Sequence, residues 1–144
     1  MGMPAIYYHS LLGSRNCYRD FEESGIKRRI NREKLNADQL KTELSDPNSL
    51  RSRVLAGYRQ MLKIRKQEEA FSPNSPQQVL KLDERVFALL RGTQENQILV
   101  LINVSDDVVK LETGMAGSGL LSEKQMNQAV TLEPYEYLWL KIKG

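Results

Sequence analysis

The sequence predicts an α+β protein in which a short strand, a long loop and two helices precede a small antiparallel sheet. Three observations support this fold class. Residues 5–8 form an apolar run before a long polar loop, apolar residues recur with a helical period over residues 50–62, and the period becomes strand-like after the proline-rich linker 71–76. We therefore divide the chain into a helical part, residues 1–71, and an all-β part, residues 72–144.

Composition indicates a globular protein and excludes two classes. Of the 144 residues, 40% are hydrophobic and 27% are charged, which is ordinary for a folded domain and excludes a disordered chain. The longest apolar run, residues 98–102, is far shorter than the roughly 20 residues of a membrane helix. The N-terminus lacks a secretory signal, and a single cysteine, Cys17, suits a reducing compartment. We expect a cytoplasmic protein with no membrane partner.

Residues 5–8 are predicted to form a strand buried on both faces, because the apolar run does not alternate. Such strands line the inside of parallel barrels, where the active site lies at their carboxyl ends. His9 follows at that end and is a candidate hydrogen-bonding group for a substrate. The alternative is a strand-end histidine bonded to neighbouring backbone. The residues before this strand supply no pairing partner, so its exposed edges are expected to favour self-association.

The loop of residues 11–32 exceeds the roughly 12 to 15 residues of ordinary connections, and such long loops are often functional. Arg15, Asn16 and Arg28 can donate hydrogen bonds to sugar hydroxyls or to phosphate, and the planar fork of arginine suits phosphate. A solvated basic loop is the alternative.

Other functions for this loop are less favoured. Cys17 has arginine neighbours that would lower the pKa of its thiol, and His9 could act as its base. The basic run of residues 27–32 could bind nucleic acid, with an affinity that falls steeply with salt. One cysteine and one histidine are also too few for an ordinary metal site. We expect no nucleic-acid partner, no metal and no cofactor.

Two helices are predicted before the linker. Asn36 is a good N-cap and Gln39 stands where it closes a capping box, so the first helix should cover residues 37–44. Pro47, preceded by an acidic cap, should open the second helix. Basic residues of the second helix, including Arg51, are expected to be solvated. Its apolar residues recur at spacings of three and four and should form one packed face; they are Leu50, Val54, Leu55, Tyr58, Met61 and Leu62.

Short strand-like runs with turns between them predict a small antiparallel sheet or sandwich in the second part. The glycine-rich residues 113–119 are expected to form a loop. The predicted strands are residues 78–82, 85–90, 97–104, 108–112, 129–132 and 135–142.

The last predicted strand has an apolar face and an aromatic face. Leu138 and Leu140 share one face, and Tyr137 and Trp139 share the other, so both faces should be at least partly covered. Tyr135, Tyr137 and Trp139 could form a platform on which sugars stack. We favour the alternative that they pack on the helical part, because aromatic side chains bury large areas.

Four motifs together resemble one family. They are GMPAIYYHSLLGSRN at residues 2–16, GIKRRINREKLN at 25–36, AFSPNSPQQVLKLDERVFALLR at 70–91 and LEPYEYLWLK at 132–141. In these motifs the sequence is similar to sucrose-phosphorylase-like enzymes of the α-amylase clan, a group that includes glucosylglycerate phosphorylases. The first two motifs resemble the eighth strand and the following loop of the catalytic (β/α)8 barrel, and the resemblance extends through essentially the whole chain.

The resemblance implies an activity for the complete enzyme and substrate-binding residues in this chain. The enzyme would transfer a glucosyl unit between a sucrose-like or glucosylglycerate-like donor and phosphate through a covalent intermediate, without a cofactor. Arg28 matches the position that contacts the glucosyl unit. Arg32, on the acceptor side or in a structural role, and His9 and Asn16 are further candidates.

The resemblance also implies that the chain by itself is inactive. In the α-amylase clan the catalytic carboxylates lie on the fourth, fifth and seventh barrel strands, which would precede residue 1. We therefore expect no catalytic residue here. The alternative function is a stand-alone, non-catalytic β-domain that binds carbohydrate or a partner protein, with residues 1–45 disordered or exchanged between copies.

Overall fold

The structure is a computed structural model that describes residues 5–31 and 33–143. It divides into two compact units, one within Met3–Leu62 and one within Lys63–Gly144. The division falls before the predicted boundary at residue 71, so the end of the last helix and the following linker belong to the unit that contains the sheet. Within the described residues, no helix is both long and apolar enough to span a membrane.

The first unit is built from short helices. They are α1 (Tyr8–Leu11), α2 (Tyr18–Ser24), a 3-10 turn (Lys27–Arg29), α3 (Ala37–Ser45) and α4 (Leu50–Gln67), whose end extends into the second unit.

The strand predicted at residues 5–8 is not formed. The amides of Leu11 and Leu12 instead donate to the carbonyls of Tyr7 and Tyr8 at 3.1 and 3.0 Å and close the helical turn of α1. A parallel strand takes its hydrogen bonds from neighbouring strands. Without such neighbours, this segment satisfies its backbone locally, and the strand edge through which self-association was predicted does not exist here.

The N-cap of α3 is confirmed. Asn36 Oδ1 accepts from the amides of Asp38 and Gln39, both at 3.0 Å. The reciprocal bond of the capping box, from the Asn36 amide to the Gln39 side chain, is not among the described hydrogen bonds, and Gln39 Nε2 donates to Glu43 Oε1 at 3.0 Å.

Helix α4 begins later than predicted. Asp46 Oδ1 accepts from the amide of Asn48 at 2.9 Å and forms a separate turn through Pro47. Ser49 Oγ then accepts from the amide of Ser52 at 3.0 Å, so Ser49 is the cap of α4.

The second unit contains one six-stranded antiparallel sheet with the order β1-β2-β3-β6-β4-β5, so all six predicted strands are confirmed. The predicted loop at residues 113–119 is instead part of the fourth strand, with an irregularity between Glu112 and Ala116. Tyr135 lies in a turn with φ 56° and not in the last strand. The strands are β1 (Gln77–Asp83), β2 (Val86–Thr93), β3 (Asn96–Asn103), β4 (Val109–Gly119), β5 (Gln125–Leu132) and β6 (Tyr137–Ile142).

The sheet curls around an apolar core on one face, to which all six strands contribute. The other face is partly covered by the 3-10 turn Glu69–Phe71, where the Phe71 ring centroid lies 4.6 Å from that of Trp139. Arg91 fixes this turn by donating to the carbonyls of Ala70 and Ser72 at 3.1 and 2.9 Å. Both faces of β6 are thus partly covered, as predicted.

Candidate functional site

A tight turn after α1 positions the loop that carries three of the polar residues of interest. At Gly13 the backbone has φ +60°, and a Cβ there would lie 3.1 Å from Val54 Cγ2. Only glycine combines this conformation with so close an approach. We call residues 13–16 the GSRN loop; the close approach brings its first residue against α4.

Arg51 holds the GSRN loop in place. Its Nη1 donates to the carbonyl of Leu12 at 3.2 Å and to Ser14 Oγ at 3.1 Å. Its Nη2 donates to both carboxylate oxygens of Glu33 at 3.2 and 3.1 Å, and its Nε donates to Glu43. All three nitrogens of the guanidinium therefore have an acceptor, and its hydrogen bonds are shared among four residues.

The prediction that Arg51 is solvated is wrong, since its side chain is only 13% exposed. Burial lowers the pKa of Arg51, but the hydrogen bonds and negative charges of Glu33 and Glu43 outweigh that cost and raise the pKa above its usual value. No signal in the sequence identified the cluster of Glu33, Glu43 and Arg51. The three residues do not lie at the spacing of three or four that would place them together on one helix.

His9 is buried beside the same loop. Its Nδ1 lies 2.9 Å from Ser14 Oγ, and its ring contacts those of Tyr7 and Tyr8 with centroids 5.2 and 4.0 Å apart. Ser14 Oγ also accepts from Arg51 Nη1 at 3.1 Å, so this hydroxyl links His9 to Arg51. The buried Nε2 of His9 has no partner among the described residues. No described hydrogen bond pairs His9 with Cys17, so the structure gives no support to a thiol with a histidine base.

The other predicted substrate-binding residues are not gathered around His9. Asn16 is exposed and its Nδ2 donates to the Tyr18 hydroxyl at 3.3 Å. Arg28 is exposed within the turn Lys27–Arg29. In the part of the chain that the structure describes, no hydrogen bond or ion pair joins Arg28 to His9 or Asn16. Arg32 lies outside the described residues.

An open cleft of about 370 Å³ lies between the GSRN loop, α3 and the start of α4. Gly13, Arg15, Glu33, Glu43 and Arg51 are among its lining residues. Arg15 is exposed and, within residues 5–31 and 33–143, has no ion pair or side-chain hydrogen bond. In the same ranges, no three His, Cys, Asp or Glu side chains converge as metal ligands would.

In the sheet unit, the most buried polar group is structural. Asn103 is 1% exposed. Its Nδ2 donates to the carbonyls of Asp107 and Glu133 at 2.7 and 2.9 Å, and its Oδ1 accepts from the amide and hydroxyl of Ser105 at 3.0 and 2.7 Å. The amide is fully used and joins the turn after β3 to the turn before β6.

Aromatic side chains are displayed on the part of the outer sheet face that the linker leaves open. Phe87, Ile102 and Tyr137 are cross-strand partners on β2, β3 and β6. Phe87 and Tyr137 remain 46% and 45% exposed. The prediction that the aromatic residues pack on the helical part is not confirmed. Trp139 does pack, but on Phe71, which belongs to the sheet unit, and Tyr135 and Tyr137 stay exposed.

Comparison with known proteins identifies relatives by sequence, although no family model matches the chain. It is 50% identical over 107 residues to a glucosylglycerate phosphorylase of Spirochaeta thermophila, covering 73% of this chain and 18% of that protein. It is 36% identical over 139 residues to a glucosylglycerate phosphorylase of Allomeiothermus silvanus, covering 96% of this chain and 24% of that protein. The chain thus spans about a quarter or less of the length of these curated relatives.

Comparison with solved structures supports the fold. The trehalulose synthase MutB from Pseudomonas mesoacidophila superimposes with a TM-score of 0.60 at 21% identity, over 76% of this chain and 21% of that one. The observed sheet with its few helices therefore matches a C-terminal domain of such enzymes. By sequence, the chain belongs with the glucosylglycerate phosphorylases, which are sucrose-phosphorylase-like enzymes of the α-amylase clan, and it corresponds to their C-terminal part.

Proposed function

We propose that this chain supplies the C-terminal part of a glycoside phosphorylase that transfers a glucosyl unit between a glucosylglycerate-like donor and phosphate. The observation that carries the proposal is the 36% identity over 139 residues to the Allomeiothermus silvanus enzyme, because it extends through both units. A sucrose-like donor is the other option within the same reaction class. We also propose a cytoplasmic location.

The reaction requires two carboxylates, and the two that line the described cleft are both engaged with Arg51. Transfer with retention needs two carboxylates about 5 Å apart, one as nucleophile and one as acid and base. In the cleft, Glu33 and Glu43 both bind Arg51, and Glu43 Oε1 also accepts from Gln39. Neither is free to attack a sugar or to protonate a leaving group. We propose that the catalytic carboxylates come from the rest of the enzyme and that the chain alone is inactive.

In this proposal, residues 1–71 are the last strand, loop and helices of a (β/α)8 barrel. The apolar stripe of α4 supports it, because none of its side chains is fully buried, and Leu50 and Leu62 are 48% and 45% exposed. The helical turn at residues 8–11 is then the form that the last strand takes without neighbouring strands.

Arg28 is proposed to contact the glucosyl unit, since its guanidinium has no described partner. His9 Nε2, which is buried and has no partner among the described residues, and Asn16 are proposed as further sugar contacts. Arg32 is proposed on the acceptor side.

The test is a chimera in which this chain replaces the matching part of the Allomeiothermus silvanus enzyme. We expect glucose 1-phosphate release from glucosylglycerate and phosphate by the chimera and none by the chain alone. Arg28→Gln in the chimera should lower kcat/KM at least tenfold, whereas Arg53→Gln, a matched change on exposed α4 surface, should leave it unchanged. A folded but inactive chimera, or phosphorolysis by the chain alone, would contradict the proposal.

A second function is supported by the exposed pair Phe87 and Tyr137 on the sheet. In this alternative the sheet unit is a non-catalytic domain on which a carbohydrate stacks. Oligosaccharide binding that disappears on Tyr137→Ala would support it. Trp139 is a poor probe, because its ring packs on Phe71 and its loss would perturb the fold. Absence of binding to any oligosaccharide would exclude this alternative.

A further inference from the structure

Three turns at one end of the sheet are joined into a single surface. The Val104 amide donates to the carbonyl of Arg85 at 2.8 Å, and the Tyr135 amide donates to the carbonyl of Ser105 at 3.2 Å. These bonds connect each turn to the next. We call the joined turns the turn surface. They are residues 84–85 between β1 and β2, 104–108 between β3 and β4, and 133–136 between β5 and β6.

The turn surface combines exposed apolar side chains with unpaired carboxylates. Its exposed apolar side chains are those of Val104, Val108 and Tyr135. Three carboxylates on the same turns are exposed and, within residues 5–31 and 33–143, form no ion pair or side-chain hydrogen bond; they are Glu84, Asp106 and Glu133. Apolar contact area flanked by charged groups is the usual composition of a surface that binds another protein.

Tyr135 is held in a backbone conformation that costs stability. Its φ of 56° lies in the left-handed region, which bulky side chains avoid. The side chain is 67% exposed and makes no ring contact or hydrogen bond with the described residues, so no packing offsets the cost. Strained residues of this kind cluster at functional sites. An exposed aromatic ring on strained backbone therefore points to a contact outside the chain.

Helix α4 carries a surface of opposite charge. Arg59, Lys63 and Lys66 recur at spacings of four and three, so they share one face of the helix. All three are exposed, and in the part of the chain that the structure describes none of them forms an ion pair. They do not belong to the apolar stripe of α4, so this face remains open when that stripe is covered. We call the three residues the basic row.

We infer that the turn surface binds the basic row of a second copy of this chain. Three carboxylates meet three cations, and the alkyl stems of the cations can cover the exposed valines. The face of the Tyr135 ring attracts a cation as well. Because two different surfaces meet, the contact is head-to-tail and closes a ring or continues as a chain of copies. Pairing of two turn surfaces is opposed by their like charge. The inference goes beyond the proposed function and does not depend on it.

The test is sedimentation of the full chain over a range of concentrations. At low salt we expect the average mass to rise with concentration, and at about 1 M salt, where the Debye length is about 3 Å, we expect monomer. Two charge-reversed variants should each stay monomeric at low salt. Their equimolar mixture should associate, because every contact then again joins opposite charges. The variants are Glu84→Lys with Asp106→Lys and Glu133→Lys, and Arg59→Glu with Lys63→Glu and Lys66→Glu.

Two further variants serve as probe and control. Tyr135→Gly should weaken association about fivefold or more, while the denaturant midpoint of the sheet unit stays equal or rises because the backbone strain is relieved. The control reverses three exposed cations outside the basic row and should keep the association; it combines Arg29→Glu, Lys34→Glu and Arg53→Glu.

Four results would each overturn the inference. They are a monomeric chain at every concentration at low salt, association of either charge-reversed variant alone, a mixture that stays monomeric, and a lowered denaturant midpoint in Tyr135→Gly. The last result would show that the Tyr135 ring stabilises its own chain.

Discussion

In the part of the chain that the structure describes, every fully buried apolar side chain lies between residues 70 and 140, within the sheet unit. The helical unit has none, and its most buried side chain is that of His9. Its loop and helices are joined by polar contacts centred on Arg51. The comparison teaches that the sheet unit has the core an independent domain needs, whereas the helical unit depends on one ion-pair cluster and on whatever covers its apolar stripe.

The largest effect is expected from a cavity in the sheet core. Leu99 is fully buried in β3, and Leu99→Ala should lower the free energy of unfolding of the sheet unit by about 3 kcal/mol. Denaturant unfolding followed by the fluorescence of Trp139 measures it. Val79→Ala, at a side chain 62% exposed, is the control and should change stability by less than about 0.5 kcal/mol. Equal losses in the two variants would contradict the assigned core.

Removing the polar centre of the helical unit should have the next effect. Arg51→Ala leaves Glu33 and Glu43 unpaired, and because both are about one-third exposed we expect a loss of about 2 kcal/mol. With no apolar core to retain the fold, the helical unit should lose its amide protection from hydrogen exchange while the sheet keeps its own. Arg53→Ala is the matched control. Unchanged protection in α3 would show that Arg51 is dispensable.

A polar centre inside the sheet unit sharpens the comparison. Asn103→Ala removes four hydrogen bonds and should lower the free energy of unfolding by about 1 to 2 kcal/mol. Since the apolar core remains, the sheet should stay folded, and exchange should increase only in the two turns that Asn103 joins. Ser122→Ala in an exposed turn is the control. Loss of the whole sheet would mean that this unit also depends on a polar cluster.

The smallest effect concerns pH. Hydrogen bonds from Arg85 lower the pKa of Asp83 to about 2, from an ordinary value of 3.8. A lowered pKa in the folded state stabilises the fold above pH 3.8, and this contribution is lost as the pH falls through 2. The Asp83 side chain keeps 23% of its surface in water and that of Arg85 keeps 44%, so solvent screens the pair and the effect on stability is small. An NMR titration of the Asp83 carboxyl measures it, and Arg85→Gln should return the pKa towards its ordinary value.

The sequence allowed two features of the sheet to be predicted: the number of its strands and the partial burial of both faces of the last strand. Both follow from alternating apolar residues and from turn residues, which are local signals. The N-cap at Asn36 was predictable for the same reason. The absence of a strand at residues 5–8 could not be predicted, because the apolar pattern of these residues is the same whether or not partner strands are present. The candidate site was predicted only in part: His9 and the GSRN loop were identified, whereas Arg51, Glu33 and Glu43 were not.

By itself, the sequence determined the six strands and the helix that Asn36 opens, since each rests on residues close together in the chain. It also determined the membership in a family, which rests on motifs spread along the whole chain. Tertiary structure alone decided that β4 continues through residues 113–119, that Phe71 covers Trp139 and that Arg51 is a largely buried centre whose three nitrogens all have acceptors. These depend on partners far apart in sequence. A side chain such as Arg51 gives no sign in its own helix of the carboxylates that the fold will bring to it.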